Sequence, residues 1–417
     1  MINIPKGTKD VLPSESYKWH AIYKVIDRLA KRYNLKEVMT PTFEHTELFV
    51  RGVGDSSDIV NKEMYTFLDK GERSITLKPE GTAGVVRSFV ENGLFNNPMP
   101  LKTYYKTPCF RYEKPQAGRL REHHQFGVEM FGSDNIESEL EIFMILNDFF
   151  NSFGISPTFS INYLGCDECN KKYKQSLKTF IEPRLKDFCN DCNNRYTKNV
   201  LRVLDCKVDS CQKVLKDAPV LFETLCDECK GKVNRLLEGL NALGIKYVIN
   251  TSLVRGLDYY TGTVFEILNV DKTMGQTALG GGGRYNRLVE ELGGKSTPVI
   301  GFGLGIERFI LYLESIGYNF VDTELPEVYI ASATNNLAYV LNLARELRNA
   351  GLGVEVDLMA RSLKAQFKYA DKLKSKFVVV VGDEEVDSKE VALKDMSQGT
   401  QERIKLNDIT KTILGRL

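Results

Sequence analysis

A chain of 417 residues is too long for one ordinary hydrophobic core and points to two or three domains. With 42% hydrophobic and 27% charged residues it has the make-up of a soluble globular protein, and no run reaches the roughly 18 apolar residues of a membrane-spanning helix. A net charge of +1 excludes nothing about nucleic acid, because a local basic face is enough to bind it.

The first residues, MINIPKGTKDVLPSES, lack the apolar stretch of a secretion signal, so a cytoplasmic location with no membrane partner is expected. Residues 16–34 place Trp19, Ile22, Tyr23, Ile26, Leu29 and Ala30 at helical spacing, which predicts an amphipathic helix. Residues 37–49 read as a strand running into Pro41 and then a short helix, and 73–80 and 101–112 read as strands. In 123–132, Gln125, Gly127 and Glu129 alternate with Phe126, Val128 and Met130, as in a sheet that lines a cleft. A helix at 135–153, strands at 158–164, 247–250, 263–270 and 297–304, and a helix at 305–317 follow. Strands interspersed with helices without a regular βαβ beat predict an α+β fold around a large antiparallel sheet. Beyond residues 320–326 the pattern changes to alternating strands (327–332, 352–357, 376–381, 389–395, 402–406) and helices (335–350, 361–375), a compact α/β domain of its own.

Four segments carry chemistry. In FRYEKPQAGRLREHHQFGVEMFG (110–132), Arg111, Arg119 and Arg121 sit on one hairpin with Gln125 and Glu129 on its returning strand. Arginine forks match phosphate oxygens, so a polyphosphate is the fitting partner. In ALGGGGRYNRLVEELGGKSTPVIGFGLGIERFILYLE (278–314), four glycines allow close approach to a ligand, and Arg308 near a helix start faces an anion rather than the macrodipole. GGKS at 293–296 is not a P-loop, because the first glycine of that pattern would fall on Val289. In TLKPEGTAGVVRSF (76–89), Glu80 and Thr82 either hold an ammonium group or cap the helix that begins there. A fourth segment, LVRGLDYYTGTVFEI (253–267), joins Arg255 to the phenols of Tyr259 and Tyr260 at the mouth of a strand, a combination suited to an anion and a small polar ligand held together.

Eight of the nine cysteines lie between Cys166 and Cys229, in a lysine-rich stretch that reads as an insertion. They pair as Cys166/Cys169, Cys189/Cys192, Cys206/Cys211 and Cys226/Cys229. Three C-x2-C knuckles and one C-x4-C fit two structural tetrathiolate Zn2+ sites, and they equally fit reduced, partly buried thiols.

Taken together, 37–49, 110–132, 253–267 and 278–314 resemble, in order and spacing, the three class motifs and two histidine-specific signatures of the histidyl-tRNA synthetase family of class II aminoacyl-tRNA synthetases, bacterial type. The resemblance runs from KGTKDVLP (6–13) to the C-terminal domain. It implies a discontinuous class II catalytic domain (1–163 and 233–324), an insertion domain (164–232) and an anticodon-binding domain (325–417). It implies a homodimer that uses ATP and Mg2+ to activate histidine as the adenylate, releasing pyrophosphate, and then charges the 3′ end of tRNA(His). On this resemblance Arg111 binds the α-phosphate, Arg119 the outer phosphates and Arg308 the γ-phosphate, and Arg255 stabilises the charge developing at the α-phosphorus. Glu80, Thr82 and Gln125 hold the histidine α-amino group, Glu129 and Tyr260 read the imidazole nitrogens, and Tyr259 lines the pocket. Arg121 contacts ATP or the acceptor end of the tRNA. Arg361, Lys364 and Lys368, with Lys372, form a basic stripe for RNA, although the same stripe fits a solvated helix face. The family's second signature usually has an acid where this chain has Asn286. Many members carry the insertion without these cysteines, so the family fold does not require metal. Two other readings remain: a catalytically silent paralogue, which should have lost Arg255 or the tyrosine pair, and a ligase for another amino acid on the same scaffold.

Overall fold

The computed structural model describes residues 2–54, 57–257, 259–268, 278–322 and 325–417. They form two compact units that divide between Asn319 and Phe320.

The first unit is built on an eight-stranded sheet. In spatial order its strands are Lys36–Glu37, Leu101–Phe110, Glu122–Phe131, Val299–Gly305, Ala278–Arg284, Thr261–Leu268, Thr158–Tyr163 and Lys246–Ile249. The six central strands are antiparallel, as the sequence pattern leads one to expect, while the strand at each edge pairs parallel with its neighbour. The helix expected at 16–34 spans Pro13–Arg32, opened by a proline that needs no N–H partner and closed by Lys31 and Arg32. It buries Ile22, Ile26, Leu29 and Ala30, one face at helical spacing. The expected helices at 135–153 and 305–317 are Ile136–Asn151 and Ile306–Ser315; Phe149 and Phe150 of the first close on Phe309 of the second. The strand expected at 263–270 spans Thr261–Leu268, and residues 269–270 lie outside the described residues.

Two elements depart from the sequence pattern. Over 37–49 the strand expected ahead of Pro41 is only Lys36–Glu37 and the expected short helix is Thr46–Val53, but between them lies a short strand, Phe43–His45, which joins Ser74–Leu77 and Tyr65–Leu68 in a separate three-stranded sheet. The glycine run Ala278–Arg284, for which the sequence pattern predicts close approach to a ligand but no element, is a central strand of the main sheet. Glycine is a poor strand former, and it is tolerated here because the run is paired on both edges, in continuous register with Val299–Gly305 and with two register shifts along Thr261–Leu268.

That strand ends in a buried ion pair. Arg284 donates from Nε and Nη2 to the two carboxylate oxygens of Glu139 at 2.7 and 2.6 Å, and from Nη1 to the carbonyl of Ser133 at 2.8 Å. Asn286, where an acid is usual, donates to Asp134 at 2.9 Å and accepts from the Val299 N–H at 3.2 Å, so the amide makes both a side-chain and a backbone link.

Between Tyr163 and Lys246 the chain is helical, with helices Asp167–Ile181, Asn190–Lys198, Asp209–Leu215 and Asp227–Ala242. Tyr173, Leu177, Val203, Leu221 and Val233 form its core, which is continuous with Val264 and Leu253 beside it.

The second unit has a five-stranded sheet in the order Val354–Val356, Val328–Ser332, Phe377–Val381, Glu390–Asp395 and Gln401–Lys405. The first three run parallel and the last two add antiparallel. Helix Leu337–Asn349 buries Val340, Leu343, Ala344 and Leu347 in the same cluster as Val328, Ile330 and Val379. No helix among the described residues is long and apolar enough to cross a membrane.

Removing one partner of the Arg284–Glu139 pair strands a buried charge. Arg284→Ala should therefore lower unfolding free energy by about 3–5 kcal/mol, whereas Arg235→Ala, which breaks the exposed pair with Glu137, should cost under about 1 kcal/mol. Chemical denaturation of both variants measures the contrast.

Candidate active site

The cleft lies over the central strands of the large sheet. Strand Glu122–Phe131 points Gln125 and Glu129 toward it and packs Phe126 against Phe149 and Phe302 on the opposite side, as the alternation predicts. Glu129 is fully buried. Its Oε1 accepts from Thr82 Oγ1 at 2.7 Å and from the Tyr105 hydroxyl at 3.2 Å, and its Oε2 accepts from the Tyr285 hydroxyl. The neighbouring strand makes room for this carboxylate, because Gly301 stands opposite Glu129 and a Cβ there would overlap Oε2. Burial dominates the electrostatics and pushes the Glu129 carboxyl up to about 8 against its three hydroxyl donors.

Glu80 sits in the turn before helix Thr82–Glu91. Its carboxylate accepts the N–H groups of Thr82 and Ala83 at 2.9 and 2.7 Å, so it caps the helix from a buried position. Burial raises its pKa and these N–H donors oppose the rise. Gln125 is held nearby, its side-chain oxygen accepting the Gly81 N–H at 3.1 Å. Tyr259 and Tyr260 pack together with centroids 4.7 Å apart, and Tyr285 lies edge-on to Tyr259 at 5.2 Å. Acid, hydroxyl and phenols thus form one buried polar cluster.

Next to it is a cavity of about 640 Å³ lined by Arg119, Arg255, Arg308 and Glu266. Arg255 donates from Nη1 to Glu266 at 2.6 Å, and among the described residues its buried Nε has no hydrogen-bond partner. It lies against the glycine strand: a Cβ on Gly281 would stand 2.8 Å from Arg255 Nη1 and 2.5 Å from the Phe265 carbonyl. Arg308 is held by the carbonyls of Ala278 and Gly118 at 2.9 and 3.4 Å. Burial, then Arg119, Arg111 and Arg255, lower its pKa to about 10, the mark of a cation among cations. Arg111 donates to the Pro79 carbonyl at 2.8 Å, which ties it to the turn bearing Glu80. Arg119 pairs with Glu113 at 3.4 Å and is half exposed. Nearby, burial together with Arg111 and Arg308 pushes His123 down to about 3, so it presents a neutral ring. The arrangement can neutralise a polyphosphate beside a small polar ligand.

Arg121 is not brought into this cavity. It stacks over Tyr112 at 3.8 Å and reaches the Lys6 carbonyl at 3.4 Å. In the second unit Arg361 is held by Asp357 at 2.7 Å and stacks over Tyr369, while Lys364 and Lys368 are exposed on helix Leu363–Lys372. The sequence reading missed Tyr105 and Tyr285 as partners of Glu129. Tyr285 lies inside the glycine segment already singled out, whereas Tyr105 carries no local signal. It also missed Lys171 and Lys178, which line a cavity of about 650 Å³ together with Arg255 and Tyr260.

The eight insertion cysteines gather into two sets of four. Cys166, Cys169, Cys226 and Cys229 form one and Cys189, Cys192, Cys206 and Cys211 the other, with all sulfurs of a set within 4.8 Å of one another. All nine cysteines of the chain are free. The Cys166 N–H donates to Cys229 Sγ at 3.3 Å, the Cys226 N–H to Cys169 Sγ at 3.1 Å and the Cys189 N–H to Cys211 Sγ at 3.2 Å. Donors from the Cys192 and Cys229 backbones hold the Cys189 and Cys226 thiols down to about 7. Four convergent sulfurs with N–H groups aimed at them suit a tetrahedral thiophilic ion.

Comparison with known proteins agrees with this geometry. A family model described as histidyl-tRNA synthetase matches residues 7–309, and one described as anticodon binding domain matches residues 327–416. The chain is 49% identical over 415 residues to the histidine–tRNA ligase of Acetivibrio thermocellus, covering 99% of this chain and 98% of the relative. It is 50% identical over 411 residues to that of Caldanaerobacter subterraneus subsp. tengcongensis, covering 98% of each. The crystal structure of apo S. aureus histidyl-tRNA synthetase superposes with a TM-score of 0.85 at 38% identity, over 99% of this chain and 100% of that one.

The raised pKa of Glu129 has a consequence for stability. A carboxyl that is neutral in the folded protein up to about pH 8 but ionises near 4.3 when unfolded contributes stability that is complete below the lower value and lost as pH rises through the upper one. Glu129→Gln should therefore flatten the decline in unfolding free energy between pH 5 and about 8 relative to wild type. Denaturation midpoints across that range test it, and parallel profiles would place the ionised form in the folded state.

Proposed function

The chain belongs to the histidyl-tRNA synthetase family, and from that premise we propose how its residues carry out histidine–tRNA ligation. The observation that carries the reading is the meeting of four arginines, Arg111, Arg119, Arg255 and Arg308, beside the buried Glu129 pocket.

ATP lies in the arginine cavity. Arg111 takes the α-phosphate, Arg119 the outer phosphates and Arg308 the γ-phosphate, each as a fork donor to phosphate oxygens. Glu80, Thr82 and Gln125 receive the histidine α-amino group at the start of helix Thr82–Glu91. Glu129 and Tyr260 take the two imidazole nitrogens and Tyr259 lines the pocket. A site that leaves these buried groups unpaired with any other side chain discriminates strongly for histidine. The histidine carboxylate then attacks the α-phosphorus and pyrophosphate leaves. A carboxylate nucleophile needs no general base, so the catalytic work is positioning and charge stabilisation. Arg255, whose Nε has no hydrogen-bond partner among the described residues, stabilises the charge that develops at the α-phosphate. Mg2+ would be held by Glu266, which lines the same cavity, and supplies further neutralisation of the phosphates. In the second step the terminal ribose hydroxyl of tRNA(His) attacks the adenylate carbonyl.

Three domains share this work: 1–163 with 233–324 as the catalytic domain, 164–232 as the insertion and 325–417 as the anticodon-binding domain. Lys171 and Lys178 line the approach for the tRNA acceptor end, with Arg121 on the same loop as the ATP arginines. Arg361, Lys364 and Lys368 hold anticodon-arm phosphates. A homodimer is supported by Met39, Phe43, Phe67 and Leu68, large apolar side chains left exposed around the three-stranded sheet. The protein works in the cytoplasm. Each cysteine set holds a structural Zn2+. A silent paralogue is disfavoured because Arg255 and both tyrosines are present and converge.

ATP–pyrophosphate exchange tests the assignment. Exchange should depend on histidine, and Arg255→Ala should reduce it by at least about 10²-fold with the fold intact by circular dichroism. Full exchange in the variant would remove Arg255 from the mechanism, and absence of histidine-dependent exchange in the wild type would overturn the ligase reading.

A further inference from the structure

The two cysteine sets stand in different places. Cys166 and Cys169 follow the end of strand Thr158–Tyr163, and Cys226 and Cys229 open the helix that leads back to the sheet. This outer set therefore joins the two ends of the insertion. It borders a cavity of about 480 Å³ that none of Arg111, Arg119, Arg255 or Arg308 lines.

The inner set lies elsewhere. Cys206 itself, with Leu204, Asp205 and Lys207, lines the cavity that holds Arg119, Arg255 and Arg308. These residues lie between the short helical turn Val200–Val203 and helix Asp209–Leu215, in a stretch with no strand or helix of its own. Side chains next to cysteines of the set tie it and the turn before it in place. Gln212, next to Cys211, donates to the Cys206 carbonyl. Arg195, one turn beyond Cys192, donates to the Arg202 carbonyl at 3.2 Å. Arg202 in turn donates to the Gly256 carbonyl at 3.2 Å and pairs with Asp58 at 3.5 Å. Gly256 is the residue after Arg255. A continuous path of contacts thus runs from the inner sulfurs to the backbone that carries the proposed catalytic arginine.

We propose that zinc at Cys189, Cys192, Cys206 and Cys211 fixes one wall of the ATP phosphate cavity and, through Arg202, the position of the 255–256 backbone, whereas zinc at the outer set only joins the ends of the insertion. This rests on the zinc reading given above. Metal occupancy of the inner site then governs ATP binding, and Arg202 is a positioning residue that acts through Gly256. An ordered loop with few hydrogen bonds of its own gains most from such a clamp, because a bound ion removes the conformational freedom that the apo segment would retain.

The test uses the full-length protein purified without chelator. Elemental analysis should find two zinc ions per wild-type chain and one in each of Cys206→Ser and Cys226→Ser, with cobalt substitution giving the absorption of a tetrathiolate site. In pyrophosphate exchange, Cys206→Ser should raise the KM for ATP at least tenfold more than Cys226→Ser does, with the KM for histidine moved less than twofold. Arg202→Ala, which leaves every sulfur in place, should retain two zinc ions and still raise the KM for ATP, with partial recovery in Arg202→Lys. Metal-free wild-type protein would overturn the zinc reading itself. Two bound zinc ions with equal ATP KM values in the two cysteine variants would overturn the coupling alone. If Cys206→Ser fails to fold, an unchanged ATP KM in Arg202→Ala overturns it.

Discussion

The site depends on a floor without side chains. Strands Ala278–Arg284 and Val299–Gly305 run side by side through the middle of the large sheet, and Gly281, Gly283, Gly301 and Gly303, paired across them, face the cleft where other residues would place a Cβ. Gly301 leaves space for the carboxylate of Glu129 on the next strand, and Gly281 leaves space for the guanidinium of Arg255. An acid and a base are thereby brought down to the backbone surface from two sides of the sheet. Glycine weakens a strand, and the loss is offset by pairing on both edges and by the bidentate Arg284–Glu139 pair at its end.

On that floor the cleft divides into two electrostatic halves. One is acidic and phenolic, enclosed, with Glu129 and Glu80 both raised by burial. The other is a cluster of arginines held by carbonyls and by Glu113 and Glu266, where Arg308 is lowered by burial and by the neighbouring arginines. The buried acids of the first half are held by hydroxyl and backbone N–H donors, and the arginines of the second leave guanidinium groups facing the cavity. On the proposed reading histidine occupies the first half and ATP the second, and the carboxylate would meet the α-phosphate at the boundary where Arg255 lies. Preorganised charge of this kind is how phosphoryl and adenylyl transfer proceeds without a general base.

Much of this was legible in the sequence where local chemistry and function coincide. The helix over Pro13–Arg32, the cleft-lining alternation of Gln125, Gly127 and Glu129, and the arginines flanking it follow from periodicity and charge. What was hidden depends on pairing across distance. A run of four glycines gives no strand signal, because its strand character comes from its neighbours and not from its own propensity. Tyr105 reaches Glu129 only through strand register. Four cysteine pairs can combine in several ways, and the nested arrangement, first with fourth and second with third, appears only once the insertion folds back on itself. Glu80 and Thr82 posed a choice between capping and ligand binding. Glu80 caps the helix and Thr82 turns its hydroxyl to Glu129, so the same residues that end the turn also line the pocket.

The central claim is that one half of the cleft reads histidine and the other holds ATP, with the glycine floor keeping them apart. The most direct measurement is calorimetric titration of histidine and of ATP into the wild-type and Glu129→Gln proteins. The account predicts that the variant loses histidine affinity by at least about 10²-fold, since the buried group that pairs with imidazole is changed, while ATP affinity stays within twofold. Unchanged histidine affinity, or an equal loss for both ligands, would contradict it.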